Sequence, residues 1–274
     1  MDSLEILGIP KLDNATMLLA LTGWMDGGAV STGTVKMLMN GRDVKQIARI
    51  TADPFYIYNF PGSMEVASLF RPTVKVKGGV IRDLDMPSNS FYCDEAANLV
   101  FFIGKEPNLR WQEFASCIFE VARQAGVRRI IFMGSFGGTV PHTREPRMFG
   151  SISHRTLRPQ LQTYAVKPSD YKGPAGFSTL LLAQASSHDI EMFSLVAEIP
   201  GYLEGVNPLS IETVSRRLAK ILNVPVDLAA MRSASNKWEI EVSEAVQKDE
   251  DLSATVKKLE EQYDNELIKE QGEQ

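Results

Sequence analysis

The stretch from residue 99 to residue 144 decides the fold class: LVFFIGKEPNLRWQEFASCIFEVARQAGVRRIIFMGSFGGTVPHTR. Its first apolar run, residues 99–103, predicts a buried strand, and residues 111–124 predict a helix because their apolar side chains recur at helical spacing. A second apolar run, residues 129–133, predicts the next strand. A strand, a helix and a strand at this spacing form a parallel strand pair with a crossover helix, so the stretch predicts an α/β fold.

The alternation of strands and helices continues on both sides of this stretch. Further elements are predicted as strands at residues 17–24, 46–51 and 192–199, a hairpin at 73–81, and helices at 29–39, 177–187 and 207–222. Gly126 is expected to end its helix in the left-handed conformation, and Asn207 with Pro208 is expected to begin another. The pattern predicts a three-layer α/β/α sandwich with a mostly parallel sheet.

The length and the cysteine content indicate a globular protein that folds without disulfides. A globule of 274 residues buries roughly 75% of its unfolded surface, so it needs no disulfide or metal to fold. Cys93 and Cys117 show no metal-like spacing, and unpaired thiols favour a reducing cytoplasm. The amino-terminal segment lacks the features of a secretory signal, and no apolar run approaches the roughly 20 residues that span a bilayer. We therefore expect a cytoplasmic protein without a membrane partner.

The formal net charge of −5 is concentrated at the carboxy-terminal end. Residues 239–274 hold twelve acidic and four basic residues, whereas the rest of the chain is nearly neutral. No basic stripe with interleaved aromatic residues is present, so we expect no nucleic-acid partner. The sequence predicts an α/β domain over residues 1–225 and an acidic helical extension over residues 226–274.

The extension is predicted to form two helices, at residues 227–249 and from 251 to about 269. The second carries an apolar seam at four-three-four spacing. The seam consists of Leu252, Val256, Leu259 and Tyr263. One interpretation is that the seam docks onto the chain's own α/β domain. The other is that it faces a partner protein or a neighbouring subunit.

A glycine-containing loop, residues 23–28, joins the first predicted core strand to its helix. Such a loop can hold a phosphate on its backbone amides. Here no lysine follows as in a P-loop, the glycines do not spell GxGxxG, and Asp26 would repel a phosphate. Asp26 is either a capping residue or, with Gly27 and Gly28, part of a ligand pocket.

A second glycine-rich segment, residues 134–138, follows the strand at residues 129–133. A nucleophile elbow would need a glycine two residues before Ser135, where this chain has Met133. We therefore interpret Gly137 and Gly138 as a tight turn that presents the following polar residues at the carboxyl edge of the sheet.

Three polar side chains are predicted near this same sheet edge. His142 offers an acid–base group and Arg144 an anion-binding guanidinium, although both could simply anchor a loop. Glu106 follows another core strand and could pair with an arginine or act as a base, while Asn108 could cap the next helix. No histidine spacing indicates a metal site, and no motif indicates a cofactor.

Several segments together carry a family resemblance. They are GWMDGGAVSTG, IARITADPFYIY, GKEPNLRW, GVRRIIFMGSFGGTVPHTR, YKGPAGFSTLL and VPVDLAAM. In this order, from about residue 17 to about residue 263, they resemble the proteasome assembly chaperone 2 family in its bacterial and archaeal branch. The resemblance implies a three-layer domain distantly like nucleoside phosphorylases, and small homo-oligomers such as trimers.

The resemblance also implies a function. Eukaryotic and archaeal relatives help to assemble the proteasome α ring, are not enzymes, and in several cases end in a hydrophobic residue, a tyrosine and one final residue. This chain ends Gln271-Gly272-Glu273-Gln274, so we expect no proteasome-docking tail of this type, and Tyr263 lies eleven residues before the last residue, too early to replace it.

Two functional hypotheses follow. The first is a non-enzymatic, homo-oligomeric, chaperone-like protein that acts through protein contacts. The alternative is a nucleoside-phosphorylase-like enzyme or a small-ligand-binding protein whose site joins Asp26, Glu106, His142 and Arg144. Some bacterial members have been labelled ATP-grasp ligases, but the glycine loops here carry no motif for that chemistry.

Overall fold

A computed structural model describes residues 3–272 of the chain. Four terminal residues lie outside the described residues: Met1, Asp2, Glu273 and Gln274. Part of the predictions about an amino-terminal signal and a carboxy-terminal docking tail falls on them. The strands are β1 (Leu4–Ile6), β2 (Ala15–Thr22), β3 (Lys45–Ile50), β4 (Thr73–Lys77), β5 (Val80–Asp85), β6 (Asn89–Asp94), β7 (Leu99–Lys105), β8 (Val127–Gly138), β9 (Arg147–Ile152), β10 (Lys167–Pro168) and β11 (Glu191–Pro200).

The helices include all of those that the sequence predicts, together with two short ones. They are α1 (Val30–Met39), α2 (Met64–Ser68), α3 (Trp111–Ala125), α4 (Arg158–Thr163), α5 (Phe177–Ala185), α6 (Pro208–Leu222), α7 (Ala229–Gln247) and α8 (Glu250–Gly272). None of the helices in the described part of the chain is long and apolar enough to cross a membrane.

Nine of these strands form one sheet in the order β1-β3-β6-β7-β2-β8-β11-β9-β10. Its centre, β7-β2-β8-β11, is parallel, as predicted. On one side β6 and β3 pair antiparallel, and on the other β9 runs antiparallel to β11. Neither β6 nor β9 is among the strands predicted from the sequence, because each borders a long stretch rich in proline and glycine.

Helices cover both faces of the sheet, which confirms the three-layer α/β/α sandwich. On one face α3 and α5 bury Phe114, Phe177 and Leu181 against β2, β7 and β8. On the other face α1 and α6 bury side chains that include Val35 and Val214. The parallel strands are therefore apolar on both sides, as expected for a sheet buried between helices.

The predicted helix ends test the local sequence rules. Gly126 ends α3 with φ at +73°, and the Asn207 side chain caps α6 by accepting a 2.9 Å hydrogen bond from the Ser210 amide. Both predictions are confirmed. Asn108 does not cap α3; its side-chain oxygen instead accepts a 3.2 Å hydrogen bond from the Ile57 amide and so holds a neighbouring loop.

The predicted glycine turn at residues 134–138 is wrong. β8 continues through Gly138 because residues 134–138 pair in parallel register with residues 196–200 of β11. Gly138 is needed for packing, because a Cβ there would collide with the Glu198 carboxylate. Thus the glycines extend a strand beneath a buried carboxylate, and the chain turns only after Gly138.

One element stands apart from the sandwich. Residues 60–86, here called the arm, contain α2 and the hairpin of β4 and β5, which pair with each other and with no other described strand. Every residue of β4 and β5 is exposed. The sequence analysis predicts this hairpin at residues 73–81, and the structure confirms it.

Candidate functional site

Asp26 organises the start of α1. Its carboxylate accepts a 3.1 Å hydrogen bond from the Thr32 amide and a 2.9 Å hydrogen bond from the Thr32 hydroxyl. Burial raises the pKa of this carboxyl, while the bonds from Thr32 act in the opposite direction. Next to it Gly28 has φ at +63°, and a Cβ there would lie 2.8 Å from the Asn207 Cβ. The geometry agrees with the capping interpretation of Asp26.

Glu106 joins two segments that are distant in sequence. Its Oε2 accepts a 3.2 Å hydrogen bond from the Trp24 amide, and its Oε1 accepts a 2.7 Å hydrogen bond from the Phe177 amide. The carboxylate therefore fastens the β2–α1 loop to the first turn of α5. A charge-assisted bond to a helix N-terminus is favourable, so Glu106 positions backbone.

His142 is buried and contacts the carboxy-terminal extension. The Tyr202 hydroxyl accepts a 2.9 Å hydrogen bond from the His142 amide and lies 2.7 Å from Nδ1, while Nε2 lies 3.0 Å from the Ser243 hydroxyl on α7. Burial lowers the pKa of the His142 imidazole, and the negative charge of Glu260 partly offsets this. The ring therefore acts as a neutral anchor between the sheet edge and α7.

Arg144 extends this contact to α8. Its Nε and Nη2 donate hydrogen bonds of 2.9 and 2.8 Å to the two carboxylate oxygens of Asp264. These bonds hold the pKa of Asp264 below its usual range. The Thr143 hydroxyl donates to Glu260. The predicted anion-binding guanidinium is thus occupied by a carboxylate of the chain itself.

The sequence analysis missed Arg147, which lies at the centre of the contact. Its guanidinium forms ion pairs of 3.2 Å with Glu198 and 2.7 Å with Glu266, and it lies over the Tyr263 ring. The Tyr263 hydroxyl donates a 3.0 Å hydrogen bond to the Glu145 carbonyl. The acidic extension is the signal that could have revealed Arg147, because so many carboxylates on one segment require basic partners elsewhere in the chain.

The apolar seam of α8 is consequently covered within the chain. Val256 and Tyr263 are only 5% and 7% exposed, and Leu252 and Leu259 are half-buried. The geometry agrees with the first interpretation of the seam, in which it docks onto its own α/β domain. The division at residue 225 into a domain and an extension stays a prediction.

The predicted polar residues do not converge on one pocket. Asp26, Glu106 and Arg144 each bond to different partners, and none of the three lines the main cleft of the molecule. Of the predicted set, only Gly27 and Gly137 lie in its wall. Gly28, Gly138 and His142 also lie outside it. The site that the alternative hypothesis requires is therefore not assembled.

The cleft itself has a volume of about 810 Å³ and lies at the carboxyl edge of the sheet. Its floor is formed by β8, β9 and β11, and its walls by the β2–α1 loop, the segment before α5, and α5 itself. Its lining includes Trp24, Phe136, Tyr171, several serines and one carboxylate, Asp170. Within residues 3–272, no three His, Cys, Asp or Glu side chains are close enough to bind a metal ion together.

The fold and the site define a class of protein. It is a three-layer α/β/α domain whose sheet edge binds the chain's own acidic helices and leaves a serine- and aromatic-lined cleft beside them. The chain belongs to the PAC2 family, whose family model matches residues 20–246. This confirms the resemblance stated from the sequence motifs.

Solved structures share the fold at low sequence identity. A Mycobacterium tuberculosis protein of unknown function, Rv2714, is 24% identical, with a TM-score of 0.84 over 99% of this chain and 92% of its own. The M. tuberculosis proteasome-assembly chaperone homologue Rv2125 is 24% identical, with a TM-score of 0.75 over 88% and 99%. PbaB, a proteasome activator of Pyrococcus furiosus, is 18% identical, with a TM-score of 0.66 over 88% and 97%. No protein of curated function matches the chain.

Proposed function

We propose that this protein is chaperone-like, assembles with copies of itself through the arm, and works by protein contacts rather than by catalysis. The observation that carries the proposal is the apolar surface that the arm exposes. Its exposed apolar side chains include Met64 at 84%, Leu69 at 77% and Ile81 at 64%. Exposed apolar side chains gathered on one segment of the chain are typical of an interaction site.

The hairpin of the arm has two chemically different faces. Val74 pairs with Leu84 and Val76 with Ile81, so these four side chains form one apolar face. On the opposite face Lys75 pairs across the strands with Asp83 and forms a 3.7 Å ion pair with it. Alternation of this type is typical of a sheet with one buried face, yet here the apolar face is exposed.

The energetics favour a covered arm. An isolated two-stranded hairpin is marginally stable in water, because it orders backbone without burying enough apolar surface. Covering each large aliphatic side chain contributes about 1.5–3 kcal/mol. Further copies of the chain supply the same apolar surface, so a closed homo-oligomer in which the arms contact neighbouring copies covers every arm.

Two further observations support a role in protein contacts. The similar structures include a proteasome-assembly chaperone homologue and an archaeal proteasome activator, both of which are named for assemblies of proteins. In addition, the titratable side chains that a catalytic edge would use are engaged inside the chain, as Arg144 is with Asp264. We propose a homo-oligomer, with three copies as the resemblance implies, and an additional protein partner.

Light scattering coupled to size-exclusion chromatography tests this proposal. The test variant carries Leu69→Ser, Ile81→Thr and Leu84→Thr. All three remove apolar surface, and the two threonines remain compatible with the hairpin strand. The control variant carries Ile240→Thr and Leu267→Ser, which remove exposed apolar side chains outside the arm. We expect the wild type and the control to be oligomers, and the arm variant to be a folded monomer. A monomeric wild type, or an arm variant with wild-type mass, would contradict the proposal.

A further inference from the structure

The cleft has the volume of a small-molecule site. Its volume of about 810 Å³ falls within the roughly 300–1,000 Å³ of ligand pockets. Side chains alternate across its strands, so Leu195 is buried on the opposite face of the sheet while Ser194 and Val196 line the floor. No residue of the arm lines this cleft, so ligand binding there does not depend on the proposed self-association.

Aromatic rings surround the cleft and remain open to solvent. Trp24 is 63% exposed and Phe136 38%, and both line the cavity together with Tyr171. The rings of Phe136 and Phe149 pack with centroids 5.9 Å apart, which fixes an aromatic surface on the floor. Rings of this kind stack favourably on planar aromatic groups.

Hydroxyl groups with no partner of their own line the same space. Ser194 of β11 lies directly opposite Ser151 of β9, and both are half-buried on the floor. Ser178 of α5 is more than nine-tenths buried and also lines the cavity. Among the described residues, none of these three hydroxyls forms a side-chain hydrogen bond. Because these hydroxyls face the cleft and no neighbouring side chain occupies them, each can donate to or accept from a polar group of a ligand.

The charges exclude one class of ligand. The lining contains the carboxylate of Asp170 and no Lys, Arg or His side chain. The Phe177 amide at the start of α5, which could otherwise face an anion, donates to Glu106. A phosphate or carboxylate would meet like charge here without a cation to compensate it.

We propose that the cleft binds a small molecule with a planar heteroaromatic ring that carries hydroxyl or amide groups and is uncharged or cationic. The ring stacks on Trp24 and Phe136, and its polar groups bond to Ser151, Ser178 and Ser194. The absence of a cation in the lining discriminates against phosphorylated forms of the same compounds.

Saturation-transfer NMR on the full-length protein tests the proposal with three matched pairs of probes. The pairs are adenosine with AMP, riboflavin with FMN, and thiamine with thiamine diphosphate. We expect at least one unphosphorylated probe to bind with a Kd below about 1 mM. Its phosphate ester should bind at least about tenfold more weakly, because the cleft offers it no counter-charge.

Two variants place the binding in the cleft. Trp24→Ala and Ser194→Ala should each weaken binding of that probe by about tenfold, since they remove a stacking surface and a hydrogen-bonding group. The matched controls are Trp238→Ala on α7 and Ser116→Ala on α3, which lie outside the cleft and should bind as the wild type does. The thermal unfolding midpoint of each variant shows that it is folded.

Three results would overturn the proposal. They are no binding of any of the six probes, equal binding of the phosphorylated forms, and wild-type binding by the folded Trp24→Ala and Ser194→Ala variants. The monomeric arm variant should bind the probe as tightly as the wild type does, so failure of this proposal is distinguishable from failure of the proposed self-association.

Discussion

At the scale of single residues, polar side chains that resemble a catalytic edge hold the chain to itself. His142 contacts Ser243, and Arg144 contacts Asp264, more than 100 positions along the chain. The sequence identified the residue types and their place after a core strand. It could not supply their partners, because contacts at such separation depend on how two helices return to the sheet.

The buried imidazole of His142 predicts a pH dependence of stability. Its pKa lies below the ordinary 6.5 because of burial, so below pH 6.5 the unfolded chain binds a proton that the folded chain excludes. The contribution is fully present above about pH 6.5 and is lost as the pH falls toward the lower pKa of the folded state, by at most about 1.4 kcal/mol per pH unit. Urea unfolding between pH 7.5 and pH 5 measures it, over a range of roughly two and a half units.

Two histidine variants separate this effect from others. His142→Gln should flatten the decline between about pH 6.5 and pH 5, whereas His154→Gln, at an exposed histidine, should keep it. The hydrogen bonds from Arg144 lower the pKa of the neighbouring Asp264 carboxylate, so it stays ionised throughout this window. An unchanged slope in His142→Gln would contradict the assignment.

At the scale of elements, the sequence predicted the type and position of most helices and strands well, but it predicted poorly what each of them packs against. The helical spacing of α3 and α6 and the apolar runs of β2 and β8 were sufficient signals, because burial against a neighbour imposes a period on the sequence. β6 and β9 were missed because polar or small residues interrupt their apolar pattern. The end of β8 was mistaken for a turn because glycine there serves close packing against Glu198.

The docked seam of α8 predicts a measurable stabilisation by the extension. Val256 is 5% exposed, and Val256→Ala removes about two methylene equivalents from a packed contact. We expect a loss of about 1.5 kcal/mol in the free energy of unfolding, or the same loss in the local stability of α8 if the helix opens by itself. Urea unfolding and amide exchange of α8 distinguish the two routes.

The matched control for this substitution is Val206→Ala. Val206 is 58% exposed in the loop before α6, so removing its methyl groups should change the free energy of unfolding by less than about 0.5 kcal/mol. If Val256→Ala behaves like Val206→Ala in both measurements, the seam does not pack on the domain and the partner-facing interpretation is restored.

At the scale of the whole molecule, the acidic extension pairs with basic side chains of the same chain, whereas the apolar side chains of the arm stay exposed. The acidic extension, with twelve acidic residues against four basic ones from residue 239 onward, meets Arg144 and Arg147 at the sheet edge. The arm has no such internal partner among the described residues, since both of its strands are exposed along their whole length. We therefore expect self-association through the arm to cover this apolar surface.

Amide hydrogen exchange in β4 and β5, followed by mass spectrometry at low and high protein concentration, tests that claim most directly. We predict slow exchange in these strands at high concentration and faster exchange as the oligomer dissociates on dilution, because a covered hairpin opens less often than a free one. The amides of β2, buried in the sheet centre, should exchange slowly throughout. Fast exchange in the arm at every concentration, in a sample whose mass is that of an oligomer, would contradict self-association through the arm.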